Sequence, residues 1–374
     1  MTNSILSPED ISPLLEGLAI MGTGGGGNPA WGRMILEQDV AMGRQWTLID
    51  PDDLADDATI VCGGIMGSVK KLEEIGFANV LQGWETNFPL AEVTKIMAGL
   101  LGRPIDAMIP FECGGLNTPI VLTLGARLGI PAVNGDALGR SAPETNMTSF
   151  IGHGIQIPPM PIIDQDGNVV IVYQSDDPTY PDEVGRIVVS KGGYMGANNH
   201  YPMSGAQLKQ AVIPRTITGA LELGKRVEAA RQAGDDPIAT IRAYFNAPEK
   251  FQFHGRVTDM REEEHLGFYF TTAMLTGLGD SSGQQAELII KNETMLYKLD
   301  GSVVCMFPDL ALMLEPETGR GIMSVELQKG SELVLLATPC HARLQASAKS
   351  EVGRRAMSPA RFGQPGLVYQ EMLI

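Results

Sequence analysis

The chain is poor in the residues that build metal and thiol sites. It has 4 cysteines and 5 histidines among 374 residues. Cys62, Cys113, Cys305 and Cys340 form no C-x-x-C pair, which argues against a zinc ribbon or a thioredoxin-like dithiol. No two of His153, His200, His254, His265 and His341 stand four apart, and H-E-x-x-H is absent. A metal site would have to be assembled from distant segments. Long apolar runs are missing too: no window approaches the roughly 18 apolar residues of a membrane span. Basic runs are absent and the net charge is −16, so neither nucleic acid nor an anionic membrane is expected as a partner. The segment MTNSILSPEDISPLLEG has no basic n-region and carries Glu9 and Asp10. It does not read as a secretory signal, and a cytoplasmic protein with reduced cysteines is expected.

What is present is a large core. Hydrophobic residues make up 44% and charged residues 19% of a chain too long for one ordinary domain. Residues 8–20 predict a helix with Ser7 as N-cap, and a second helix runs from near Pro29 to near Gly43. The glycines Gly24 to Gly27 therefore join two helices. Periods then alternate. Strands are predicted at 45–49, 58–65, 104–110 and 130–135, with helices at 87–101 and 118–129. Such strand–helix–strand order with short connections predicts a largely parallel sheet covered on both faces. A hairpin turning at Asp166-Gly167 follows, then helical segments over 180–246. From about residue 250 short apolar runs alternate with Gly, Asp, Asn and Pro turns, including GIMSVEL at 321–327. That spacing suits a β-rich barrel or sandwich. The predicted fold class is α/β: an N-terminal α/β domain over 1–165, then a C-terminal region over 166–374.

Candidate chemistry concentrates in IPFECGGLNTPIVLTLGARLGIPAVNGDALGRSAPETNMTSF, residues 109–150. Glu112 ends one predicted strand, Asp136 follows the next, and Glu144 sits at a predicted helix start. Carboxylates converging there could activate water or hold a divalent metal. Arg140 could hold a substrate anion or pair with one of these acids, and Asn117 could bind substrate or only cap a helix. Cys113, beside Glu112 and near a helix N-terminus, is either a nucleophile or a buried small residue. The loop Gly24, Gly25, Gly26, Gly27 could turn its amides towards an anion, or be a tight passage between helices. It lacks G-K-S/T and a preceding strand, so a nucleotide fingerprint is not met. His153 and His200, in polar surroundings read as flexible, could reach the site as base or ligand. Asn292-Glu293 and Asp309 interrupt apolar runs in the β-rich half.

GTGGGGNP near the start, FECGGLN, GIPAVNGDALGRSAPE and a later PDL stand in an order that resembles the S-methyl thiohydantoin desulfurase family. The resemblance covers most of the chain and is strongest at 21–29 and 110–146. It implies an α/β domain followed by a β-rich one. It implies hydrolysis of a hydantoin-like cyclic amide or S-methyl thiohydantoin, with water attacking ring C2 and a thiol leaving. The catalytic candidates are then Glu112, Asp136, Glu144 and Cys113. The substrate-binding candidates are Gly24, Gly25, Gly26, Gly27, Asn117 and Arg140. The cofactor stays open, with a divalent metal ion considered. The other reading is a non-catalytic subunit of a hydantoinase/oxoprolinase-type partner. A small-molecule substrate held between domains and a homo-oligomer are expected.

Overall fold

A computed structural model describes residues 4–67, 74–193, 195–265 and 268–372. Ten strands belong to the first half of the fold. They are β1 (Ser4–Leu6), β2 (Trp46–Ile49), β3 (Thr59–Gly67), β4 (Ala107–Pro110), β5 (Ala132–Val133), β6 (Gly135–Asp136), β7 (Met160–Asp164), β8 (Val169–Val172), β9 (Met195–Ser204) and β10 (Ile213–Pro214). Eight of them form one sheet in the order β1-β2-β5-β4-β3-β9-β7-β8, while β6 pairs with β10. Its centre, β2-β5-β4-β3, is parallel, and the flanking strands run antiparallel.

The parallel centre is buried on both faces because successive residues feed two separate cores. Val61 and Met108 face one, with Leu18 and Ile120. Ile60, Cys62, Ala107 and Ile109 face the other, with Phe150 and Leu208. That alternation is why these strands read as unbroken apolar runs. The helices that cover them start and stop as their caps require. Ser7 opens the first with a capping box closed by Asp10. Asn28 Oδ1 accepts from Ala30 N–H at 2.9 Å to open helix Pro29–Ala41. Helix Pro89–Leu101 buries Leu90, Val93 and Met97 and ends on Gly102 at φ +65°.

The second half is antiparallel: β11 (Phe253–His265), β12 (Phe268–Gly277), β13 (Gln285–Lys291), β14 (Glu293–Leu299), β15 (Ser302–Met306), β16 (Leu310–Leu314) and β17 (Glu332–Thr338). Their order, β15-β14-β13-β12-β11-β17-β16, brings the two edges β15 and β16 back beside each other, and the sheet is nearly closed as a barrel. Phe253, Leu275, Leu288, Tyr297 and Leu335 fill it.

Three segments depart from the sequence reading. The NNHYP stretch read as flexible is the middle of β9, a buried strand. Asparagines disfavour strands locally, and here the sheet overrides that preference. The first sheet thus reaches beyond the expected boundary at residue 165, which falls in the turn between β7 and β8. GIMSVEL is not a strand of the barrel. Gly24 N–H donates to Ile322 O at 2.9 Å and Ser324 N–H to Gly24 O at 2.9 Å, so the segment is tied to the glycine loop. The chain end is helical, not β. Helices Ala342–Lys349 and Glu351–Ala356 return to the α/β body, where Gly152 N–H donates to Ser347 Oγ at 3.0 Å and Asn146 Nδ2 to Ala356 O at 2.8 Å.

Candidate functional site

A cavity of about 200 Å³ opens where the two halves meet. The glycine loop, the middle of β3, the segment after β4, the loop 142–145, β9 and the tip between β13 and β14 all reach it.

Glu112 follows β4 and lines the cavity while 3% exposed. Its Oε2 accepts from Ala142 N–H at 2.5 Å, and its Oε1 accepts from Asn117 Nδ2. Asn117 is therefore a clamp on Glu112 at the first turn of helix Asn117–Leu128. Facing it from the barrel is Glu293, also 3% exposed. Asn292, at φ +59°, turns the chain between β13 and β14 and so delivers Glu293 to the cavity. Gly25 lies directly against it, since a Cβ there would come within 1.8 Å of Glu293 Oε1. Only glycine fits.

Two buried carboxyl groups so placed cannot both ionise at neutral pH. Burial, then the charge of Glu293, holds the Glu112 carboxyl well above its ordinary range. Burial pushes Glu293 up to about 7, against the pull of Arg140, the Gly26 amide and Arg186. Glu293 Oε2 has no hydrogen-bond partner. Burial and mutual repulsion thus disfavour joint ionisation of the two carboxyls.

Among the described residues, Arg186 is the cation that lines the cavity. Its Nε donates to Asp182 Oδ2 at 2.7 Å and its Nη2 to Pro143 O at 2.6 Å, and the guanidinium lies 3.7 Å from the Phe268 ring centre. Asp182 also accepts from Thr145 N–H at 3.0 Å, which locks the loop and the guanidinium together. Two of the five guanidinium donors are thereby spent.

The other sequence candidates lie elsewhere. Arg140 does not line the cavity. It is 1% exposed and donates to Ser141 O at 2.9 Å, Thr294 O at 3.0 Å and Asp309 O, with its guanidinium over Phe307. It joins the halves, its guanidinium taken up by backbone carbonyls and the Phe307 ring. Glu144 does not line the cavity either; both its oxygens are taken, by Lys291 and by Arg361. Asp136 sits behind Glu112, accepting from Leu138 N–H at 2.6 Å and Gly139 N–H at 2.5 Å, and burial pushes it up to about 6. Cys113 is 1% exposed with its Sγ 3.8 Å from Met21 Sδ. Burial, then the charges of Asp136 and Glu112, push its thiol well above the ordinary value, the reverse of an activated nucleophile. Cys113→Ala is expected to leave turnover within about threefold, whereas loss of a covalent nucleophile abolishes it; steady-state kinetics decides.

The glycine loop lines the cavity, but its amides serve the chain itself. Gly24 N–H donates to Ile322 O and Gly25 N–H to Gly22 O. These two amides are therefore already taken by backbone carbonyls. His153 bonds Ser149 O at 2.7 Å away from the cavity, and Asp309 accepts from Cys340 N–H at 2.9 Å, anchoring the chain end. His200 does line the cavity. Among the described residues no three His, Cys, Asp or Glu side chains are gathered as a metal would need.

Of the residues singled out from the sequence, Gly24 to Gly27, Glu112, Asn117 and His200 line this cavity, while Glu293 reads there only as a break in an apolar run and Arg186 is not among them. The signal for Glu293 was the polar pair Asn292-Glu293 breaking the apolar run 285–299. Arg186 carried none beyond its i,i+4 spacing from Asp182.

Fold and site together define a two-domain α/β–barrel protein with a buried carboxyl pair at the junction. The chain belongs to the S-Me-THD-like family: residues 9–174 match its N-terminal domain and 175–372 its C-terminal domain. A crystal structure of a protein from Chromobacterium violaceum has the same fold, with TM-score 0.73 at 18% identity over 99% of this chain and 100% of that one. No curated protein matches the chain. No helix among the described residues is long and apolar enough to cross a membrane.

Proposed function

We propose that the protein hydrolyses the C2–S bond of a hydantoin-like cyclic amide, with an S-methyl thiohydantoin as the substrate that the family points to. The observation that carries this reading is the Glu112–Glu293 pair, two buried carboxyls lining one cavity, each held above its ordinary range by burial. Acid and base are thus supplied at one place at neutral pH.

Ionised Glu293 takes a proton from water as its oxygen bonds to ring C2. Protonated Glu112 gives its proton to the ring nitrogen, whose double bond to C2 becomes single. The tetrahedral centre then collapses. Its hydroxyl proton returns to Glu112, the C2–S bond breaks, and the departing thiolate takes the proton held by Glu293. Water is consumed, a hydantoin and methanethiol form, and both carboxyls return to their starting state. The spare donors of Arg186 face the polar edge of the ring or an anionic arm on it.

The test is thiol release from S-methyl thiohydantoins by the intact protein. Release rising with pH through about 7, as Glu293 ionises, supports the reading. No release at any pH sinks it, and co-purification of a stoichiometric hydantoinase-type partner would then favour a non-catalytic subunit.

The cavity wall offers an independent check. A Cβ added at Gly64 meets nothing within 4 Å, and Gly64 lines the cavity from β3. Gly64→Val is expected to weaken hydantoin binding by about tenfold or more, with stability changed by no more than about 0.5 kcal/mol. Calorimetric titration and thermal melting check both halves.

A further inference from the structure

His200 is a buried side chain that the chemistry above leaves unused. It is 3% exposed on β9 and lines the cavity. Its ring is fixed. Nδ1 bonds Asn198 Oδ1 at 3.0 Å, and the rings of Phe111 and Tyr201 stand edge-on with centroids 5.9 and 5.4 Å away. The pairing of β9 with β3 sets Asn198 beside Gly64 and His200 beside Cys62. The neighbouring wall therefore carries little bulk.

An amide oxygen can only accept, so the ring proton sits on Nδ1 and Nε2 carries the lone pair. Burial holds the imidazole neutral by pushing its pKa down to about 3. Nε2 has no hydrogen-bond partner. A buried, oriented acceptor without a donor costs about 1–3 kcal/mol and is seldom left so. What it lacks is an N–H, and a cyclic amide presents one.

We propose that His200 Nε2 accepts the ring N–H of the cyclic amide, which makes the site selective for rings unsubstituted at that nitrogen. This rests on the hydrolase reading above and adds a consequence to it. Holding one ring nitrogen as N–H leaves the double bond to C2 on the other, the nitrogen that takes the proton from Glu112. His200 thereby selects the reactive tautomer and takes no part in the proton transfers.

The experiment compares three ligands that are not turned over: hydantoin, 1-methylhydantoin and 3-methylhydantoin. Each is titrated calorimetrically into the full-length protein and into His200→Ala. In the unaltered protein one methyl isomer is expected to bind at least about thirtyfold more weakly than hydantoin, because it leaves Nε2 unpaired and adds bulk against it. In His200→Ala hydantoin binding weakens and the gap between isomers falls below about threefold. Equal binding of all three ligands by the unaltered protein overturns the proposal without need of any variant. Parallel weakening of all three in His200→Ala overturns it as well, since that marks a merely structural role. Failure of hydantoin itself to bind removes the cyclic-amide reading, a result distinct from either.

Discussion

Glu293→Gln is expected to lower kcat for thiol release by about 10³-fold while making the protein more stable. The first effect follows from removing the base: general base catalysis by a placed side chain contributes about 10²–10⁴-fold. The second follows from the cost of ionising a buried carboxyl. Burial raises Glu293 from 4.5 to about 7 in the folded protein. A carboxyl raised on folding favours the folded state only while protonated. Its contribution is whole below about pH 4.5, falls as pH rises towards 7, and is lost above that. Each unit corresponds to about 1.4 kcal/mol, so the burden near pH 8 reaches up to ~3 kcal/mol. Gln carries no such burden. The variant should therefore melt higher than the unaltered protein at pH 8 and no higher at pH 4. Thermal melts at the two pH values beside single-turnover kinetics check this. A variant that loses activity and loses stability equally at both pH values would mark Glu293 as a structural residue.

Glu144→Ala is expected to do the opposite. Glu144 is fully buried, with Lys291 on one oxygen and Arg361 on the other; the Lys291 side chain is 5% exposed and that of Arg361 22%. The three come from the loop before helix Ser149–Gly152, from β13 and from the chain end, so the cluster fastens the barrel and the C-terminal segment to the α/β body. Removing the acid leaves Lys291 charged and buried without a partner. Breaking a buried pair from one side costs about 3–5 kcal/mol. The urea midpoint should fall accordingly, while the folded fraction at low temperature keeps a kcat within a few-fold of the unaltered protein. A stable variant without activity would return Glu144 to the chemistry.

The contrast between these two glutamates shows what was legible in the sequence. The parallel strands were legible because both-sided burial leaves unbroken apolar runs at 58–65 and 104–110, and the covering helices because their caps and period are local. Glu112 and Asn117 were legible as polar residues at the end of a strand and the start of a helix. Glu144 looked equivalent to them. Its role is fixed by Lys291, 147 residues on, and by Arg361, 217 residues on, and no local pattern encodes such partners. Glu293 was hidden for the converse reason. Its hairpin belongs to the barrel by pattern, yet its tip reaches the glycine loop, with Glu293 lying against Gly25, 268 positions earlier. The strand β9 escaped notice because Asn198, Asn199 and His200 are buried polar groups, the first and last of them lining the cavity, and their composition argues against a strand. Local rules failed there because two of those residues line the cavity.

The central claim is that the ring is held at the junction of the halves with C2 beside the Glu112–Glu293 pair. Its most direct test is a crystal structure of the protein with hydantoin bound. The account expects the ring in the cavity walled by Gly25 and Gly64, C2 facing the two carboxyls and a ring nitrogen on His200 Nε2. A ring bound elsewhere, against Asp136 or Cys113, or held by the amides of the glycine loop, would contradict it.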